Sequence, residues 1–182
     1  MRIIAGKWRG RVLVAPAGEV TRPTAERVRQ ALFDRIMHAP WGGRGLIEGA
    51  RVLDVFAGTG ALGLEALSRG AAHATFMEQD RAALAALRAN IASCGAEATV
   101  LAGDARQPPP GEGCTIVFLD PPYGQDLVHP TVQALVSAGW IVPGALLIAE
   151  ATATDRPPRQ EVLSSFIHGA ARVDIWHNTA GG

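Results

Sequence analysis

Val52-Leu53-Asp54-Val55-Phe56-Ala57-Gly58-Thr59-Gly60-Ala61-Leu62-Gly63 joins a short apolar run to a glycine turn and then to a stretch of helical character. The run has no polar–apolar alternation, which predicts a strand covered on both faces. The turn's glycines permit positive φ and a close approach of the backbone to a ligand. The same strand–helix alternation continues down the chain. Further strands are predicted over 74–77, 98–101, 114–119 and 145–149, and helices over 61–68, 81–91 and 127–138. Repeated alternation of this kind means an α/β fold with a doubly wound, mostly parallel sheet and helices on both faces. The tail adds strand candidates at 163–167 and 172–177, too close together for anything but an antiparallel hairpin at a sheet edge. Seven strands result.

Ligands in such sheets bind at the carboxyl ends of the strands, near the point where strand order reverses. The glycine turn lies at one such end. Glu78, eighteen residues after Gly60, closes the second strand, where a carboxylate can accept both hydroxyls of a ribose. Asp104 follows the third strand and is placed to read an adenine amino group. Asp54, Phe56, Ala57, Gly58, Thr59, Gly60, Glu78, Gln79, Asp104 and Ala105 form the candidate cofactor set. These features admit two cofactors: 58–63 also satisfies G-x-G-x-x-G, and an acidic residue about twenty positions on suits NAD as well as S-adenosylmethionine. A P-loop is excluded, since no Gly-Lys-Ser/Thr closes the turn.

Asp120-Pro121-Pro122-Tyr123 decides between them. It follows the apolar run Ile116-Val117-Phe118-Leu119 and so falls at another strand's carboxyl end. The exocyclic amine of a base is a poor nucleophile because its lone pair is delocalised into the ring. Two acceptors aimed at its N–H bonds, the Asp120 carboxylate and the Pro121 carbonyl, draw the nitrogen towards tetrahedral geometry and free the lone pair for a sulfonium methyl. Proline lacks an N–H and fixes φ, so Pro121 and Pro122 suit an outward-turned acceptor segment. Tyr123, the single tyrosine, is the expected stacking platform for an extruded base. An NAD-dependent oxidoreductase has no use for this tetrapeptide. A nucleic-acid-binding module without catalysis would need neither Asp120 nor Tyr123.

The N-terminal segment carries the charge asymmetry. Residues 1–51 hold ten Lys or Arg against four Asp or Glu, while 52–182 hold seven against thirteen. A basic front end on an acidic body points to a polyanionic partner. Strands are predicted at 2–5 and 11–15 around Gly6-Lys7-Trp8-Arg9-Gly10. Lys7, Trp8, Arg9 and Arg11 are the candidate nucleic-acid contacts, with Trp8 either stacking on a base or folded back into the core. A helix follows, with Thr24 as N-cap and Val28, Ala31, Leu32 and Ile36 as its apolar stripe. The chain divides into an RNA-contacting hairpin-and-helix extension, 1–50, and one compact catalytic unit, 51–182. Cys94 and Cys114 show no CxxC pairing, so neither a disulfide framework nor a zinc site is expected, and no other metal set is visible. No signal-peptide pattern opens the sequence and no apolar run can span a bilayer, so a cytoplasmic monomer without membrane contact is expected.

Val52–Gly60, Glu78, Asp104 and Asp120–Tyr123 resemble the class I S-adenosylmethionine-dependent methyltransferase motif series, whose fold is Rossmann-like. Arg2-Ile3-Ile4-Ala5-Gly6-Lys7-Trp8-Arg9-Gly10-Arg11, Arg22-Pro23-Thr24 and Arg27-Val28-Arg29-Gln30-Ala31-Leu32-Phe33 resemble more narrowly the bacterial 16S rRNA guanine-N2 methyltransferase family. The likeness spans nearly the whole chain. It implies S-adenosyl-L-methionine as cofactor and one guanine of 16S rRNA as substrate, in the small ribosomal subunit or its assembly intermediate. It also implies that Arg22, Pro23 and Thr24 lie near the methionine end of the cofactor and the target base, and that Arg22 joins Lys7, Trp8, Arg9 and Arg11 as an RNA contact. The nearest rival is an adenine-N6 methyltransferase, which uses the same tetrapeptide. No second domain for reading a DNA sequence is apparent.

Overall fold

A computed structural model describes residues 1–16, 23–122, 126–152, 158–168 and 171–179, without the side chains of 23–25 and 168. The elements are α1 (Pro23–His38), α2 (Arg44–Ile47), β1 (Arg51–Val55), α3 (Ala61–Ser68), β2 (His73–Glu78), α4 (Arg81–Cys94), β3 (Ala98–Ala102), β4 (Cys114–Leu119), α5 (Val128–Ser137), β5 (Ile141–Thr152), β6 (Val162–His168) and β7 (Ala171–His177). They build one seven-stranded sheet in the order β3-β2-β1-β4-β5-β7-β6. β1 to β5 are mutually parallel. β7 runs antiparallel to both β5 and β6. The doubly wound reading and the antiparallel tail are both borne out. The chain moves outward from β1 to β3, then returns to place β4 on the other flank of β1. That reversal makes the carboxyl ends of β1 and β4 the switch-point crevice.

Alternation along the central strands feeds two apolar layers. Val52, Ile116, Phe118, Leu146 and Ile148 pack on the face that receives α1, α3 and α4. Leu53, Val55, Val117, Leu119, Leu147 and Ala149 pack on the face covered by α5. Ile3, Leu13, Leu32, Phe33 and Ile36 join the first layer, so the N-terminal segment shares its core with the sheet.

Several local expectations change. The two N-terminal strands shrink to a single bridge, Arg2 to Val12, braced by bonds from Ile3 N to Arg11 O and from Gly10 N to Ile3 O. The turn between them nonetheless carries glycines at φ 81° and 84°, at Gly6 and Gly10. Side-chain anchors, described below, replace ladder pairing. Thr24 does not cap α1; the helix already includes Pro23, whose missing N–H costs nothing in a first turn. β5 extends from 141 to 152 because β7 offers it a partner over 146–152. The single turn α2 lies in a glycine-rich stretch that reads as loop.

Candidate active site

The turn after β1 is built from backbone conformations that only part of its sequence favours. Phe56, Gly58 and Gly60 all have positive φ, at 60°, 55° and 77°. Its bonds run from Ala57 N to Met77 O (3.0 Å) and from Gly60 N to Ala57 O (2.7 Å). Gly60 then starts α3 in the left-handed conformation. A Cβ at Gly60 would stand 2.4 Å from Leu87 Cδ1, so this glycine seats α4 against the turn. A Cβ at Gly58 would meet nothing within 4 Å. Gly58 therefore faces open space in the crevice, as a backbone that must accept a ligand requires.

Acidic groups surround this turn. Glu78 Oε2 accepts from Gly58 N at 2.8 Å, and its Oε1 accepts from Gln79 N and Asp80 N at 2.8 Å each. Three backbone donors fix the carboxylate's orientation, use both lone pairs of Oε1 and leave one free on Oε2. Asp54 is buried beneath the turn, where its Oδ2 accepts from Gly63 N at 2.8 Å. Burial pushes its carboxyl up to about 8, with Asp120 and Glu78 adding repulsion. Its structural contact is thus to α3, from below the crevice. Asp104 is held by Arg106, whose Nη2 lies 2.7 Å from Oδ2. Those charge-assisted bonds hold the Asp104 carboxyl below its ordinary value. Arg106 was not foreseen; a basic residue two positions after the acid was its only sequence signal. Ala105 is buried beside them, and Gln79 is exposed.

Asp120 extends from β4 next to the turn, with its N–H directed to Val55 O at 3.4 Å. Asp120 is exposed at this strand end, yet neighbouring protein desolvates its carboxyl. That desolvation, and then the nearby charge of Glu150, push it up to about 7. Leu119 pairs with Ala149, so the next residues, Asp120 and Glu150, emerge from adjacent strands in register. Pro121 is half-buried and Pro122 exposed. Tyr123 and Arg22 lie outside the described residues, as does the side chain of Thr24.

The N-terminal hairpin is latched to α3. Glu65, fully buried in that helix, accepts from Ile4 N (2.8 Å) and Ala5 N (3.0 Å). Ser68 O accepts from Lys7 N (2.8 Å), and Ser68 Oγ accepts from Trp8 N (3.0 Å) while donating to Ala5 O (2.6 Å). Glu65 also meets Arg69 at 2.8 Å and Arg29 at 3.6 Å. Trp8 is half-buried against the core, and Lys7 Nζ stands 4.2 Å from its ring centroid. Arg9 is exposed. Arg11 Nη1 donates to Ser93 O (2.7 Å) in the last turn of α4, where a cation complements the helix dipole. Since Ser68 ends α3 and Gly60 begins it, the cationic tip lies about one helix length, ~12 Å, from the glycine turn. Neither Glu65 nor Ser68 stood out in the sequence, where both read as ordinary helix residues. Among the described residues there is no acidic, His or Cys cluster able to hold a metal, and no helix is long and apolar enough to cross a membrane.

The chain as a whole is similar to known proteins. Residues 1–169 match the family model described as conserved hypothetical protein 95. The chain is 44% identical over 153 residues to ribosomal RNA small subunit methyltransferase D of Escherichia coli K12, covering 82% of this chain and 74% of that protein. It is 37% identical over 164 residues to the protein of the same name from Haemophilus influenzae, covering 86% and 81%. The solved structure of the putative methyltransferase yhhF from Escherichia coli superposes with a TM-score of 0.83 at 38% identity, over 99% of this chain and 98% of that one. An open glycine turn, an oriented acidic partner and a strand-end Asp-Pro-Pro in one crevice, on a sheet of this order, therefore sit in a chain that belongs to the conserved hypothetical protein 95 family, the class I S-adenosylmethionine-dependent methyltransferases that include ribosomal RNA small subunit methyltransferase D.

Proposed function

We propose that this enzyme transfers a methyl group from S-adenosylmethionine to the exocyclic N2 amine of one guanine in small-subunit ribosomal RNA. The observation that carries the reading is the placement of Asp120 at the switch point, beside the open face of Gly58 and the oriented carboxylate of Glu78. The residues present fit the cofactor: Gly58 offers clear backbone, and Glu78 retains acceptor capacity for a ribose while its position is locked. Asp104 and Ala105 border the place for the adenine, and Phe56, Ala57, Thr59, Gly60 and Gln79 complete the cradle.

S-adenosylmethionine supplies an electrophilic methyl on a sulfonium. Everything else falls to the chain. Asp120, ionised, accepts one N–H of the guanine amine, and the Pro121 carbonyl accepts the other. Their negative ends face the positive charge that develops on nitrogen as the lone pair attacks. Once the nitrogen is cationic it is a strong acid, so Asp120 is a sufficient proton acceptor. Tyr123 stacks on the extruded base, a contact worth about 1–3 kcal/mol. Rate comes mainly from alignment of amine and methyl. The extension 1–50, with Lys7, Arg9, Arg11 and Arg22, grips RNA phosphates away from the reaction centre. The family resemblance assigns Arg22 and Thr24 to the cofactor's methionine end.

Labelled-methyl transfer to unmodified small subunits, naked 16S rRNA and DNA tests the reading, with the product nucleoside identified by mass spectrometry. N2-methylguanosine from small subunits or their rRNA is expected. N6-methyladenosine, or transfer to DNA alone, would overturn it.

A further inference from the structure

Asn90 joins two parts of the molecule that the reaction uses separately. Its side chain is 1% exposed, in the middle of α4. Nδ2 donates to Thr59 O, within the glycine turn, and to Val14 O, in the N-terminal segment, at 3.0 Å each. Oδ1 accepts from Val14 N at 2.8 Å. Both amide hydrogens and the oxygen are therefore used, and none serves the helix that carries them. The Val14 side chain itself is 51% exposed, so the apolar effect does little to hold this residue. Asn90 supplies the hydrogen bonds that hold it. Val14 leads into the Arg22-Pro23-Thr24 segment, and the hairpin before it is tied at the far end of α3 by Glu65 and Ser68.

We propose that Asn90 is a positioning residue that couples the cofactor turn to the RNA-contacting arm, so that filling the turn tightens the arm over 11–16. The inference rests on the proposed reading of both sites. Thr59 lies between the two glycines whose backbone would meet the cofactor. Restricting that backbone restricts Thr59 O, and through one buried amide it restricts Val14. The bond to Thr59 O is buried, so water cannot replace it at low cost, while the paired bonds to Val14 are part-buried and hold it from both its N–H and its C=O. Linkage then requires the reverse effect: RNA on the arm raises cofactor affinity by the same factor.

The test uses the whole chain and S-adenosylhomocysteine, with binding read by calorimetry and the arm read by hydrogen exchange. In the wild type, ligand should slow exchange across 11–16 by at least about fivefold, the lower end of common coupling strengths. In Asn90→Ala, binding should persist with weaker affinity, while the ligand-dependent slowing disappears. A role confined to stability would lower the melting temperature and leave the ratio of bound to free exchange unchanged, which overturns the proposal. So does a wild type that binds ligand without any effect on 11–16. A wild type that fails to bind S-adenosylhomocysteine overturns the cofactor reading, and this inference with it. If Asn90→Ala does not fold, Val14→Pro removes the N–H bond to Asn90 Oδ1, keeps the carbonyl bond to Nδ2, and must weaken the same slowing. Undiminished slowing in that variant counts against the coupling.

Discussion

Replacing Glu65 by alanine should detach the N-terminal hairpin from α3. The carboxylate is fully buried and holds Ile4 N, Ala5 N and Arg69 Nε at 2.8–3.0 Å, with Arg29 Nε at 3.6 Å. Its removal leaves two guanidinium groups, at 4% and 9% side-chain exposure, without the carboxylate that pairs with both. Burial already drives Arg29 below its ordinary value, with Glu65 the main opposing influence. Breaking a buried pair from one side costs about 3–5 kcal/mol. Ile4 and Ala5 are only half-buried, so water can recover their amides and adds little to the loss. Alanine returns at most a few tenths of a kcal/mol through helix propensity. The net expectation is about 4 kcal/mol, a large share of the ~5–15 kcal/mol typical of a domain. Urea unfolding should show the midpoint falling at unchanged slope, and hydrogen exchange should show Ile4 and Ala5 losing protection. A loss below about 1 kcal/mol, with both amides still protected, would refute the latch.

Asp120→Ala should abolish methyl transfer while leaving S-adenosylhomocysteine affinity nearly intact; surviving transfer would remove the amine-activation mechanism. Since Asp120 is pushed up to about 7 and only its ionised form carries the negative charge and can take the proton, kcat/KM should fall about tenfold per unit as pH drops below 7, and the residual transfer of Asp120→Asn should lack that limb. Glu78→Ala should weaken cofactor binding by about 1–3 kcal/mol, measured calorimetrically, because Gly58 N and the ribose lose their shared acceptor. Neutralising Lys7, Arg9 and Arg11 together should weaken RNA binding and flatten its dependence on salt; an unaltered slope would place the RNA contact elsewhere. Asp54 titrates near 8 when folded but at about 3.9 in an unfolded chain. The folded state then binds the extra proton between those values, so this residue's stabilising contribution is complete below about pH 4 and fades as pH rises through 8. Asp54→Asn should remove that decline from a stability–pH curve.

The sheet was legible because its cause is local. A both-sides-buried strand needs an unbroken apolar run, a glycine turn needs glycines, and each repeats at a spacing visible in one dimension. Glu78, Asp104 and Asp120 were legible as candidates for the same reason: each stands at or just after a strand's carboxyl end, and such ends in a parallel sheet converge on one edge. The Asp-Pro-Pro-Tyr chemistry could be argued from residue types alone. What the sequence could not settle was how the N-terminal segment is held. Its two expected strands are nearly absent, because Glu65 and Ser68 satisfy the backbone donors that ladder pairing would otherwise have taken. Glu65 lies sixty positions from Ala5, and Asn90 seventy-six from Val14. Contacts at such separations leave no periodic trace. The raised positions of Asp54 and Asp120 likewise depend on which charges and how much protein the fold gathers around them. Pattern and turn chemistry decided where the site lies; burial and long-range hydrogen bonds, which exist only once the chain has closed on itself, decided how it is braced and charged.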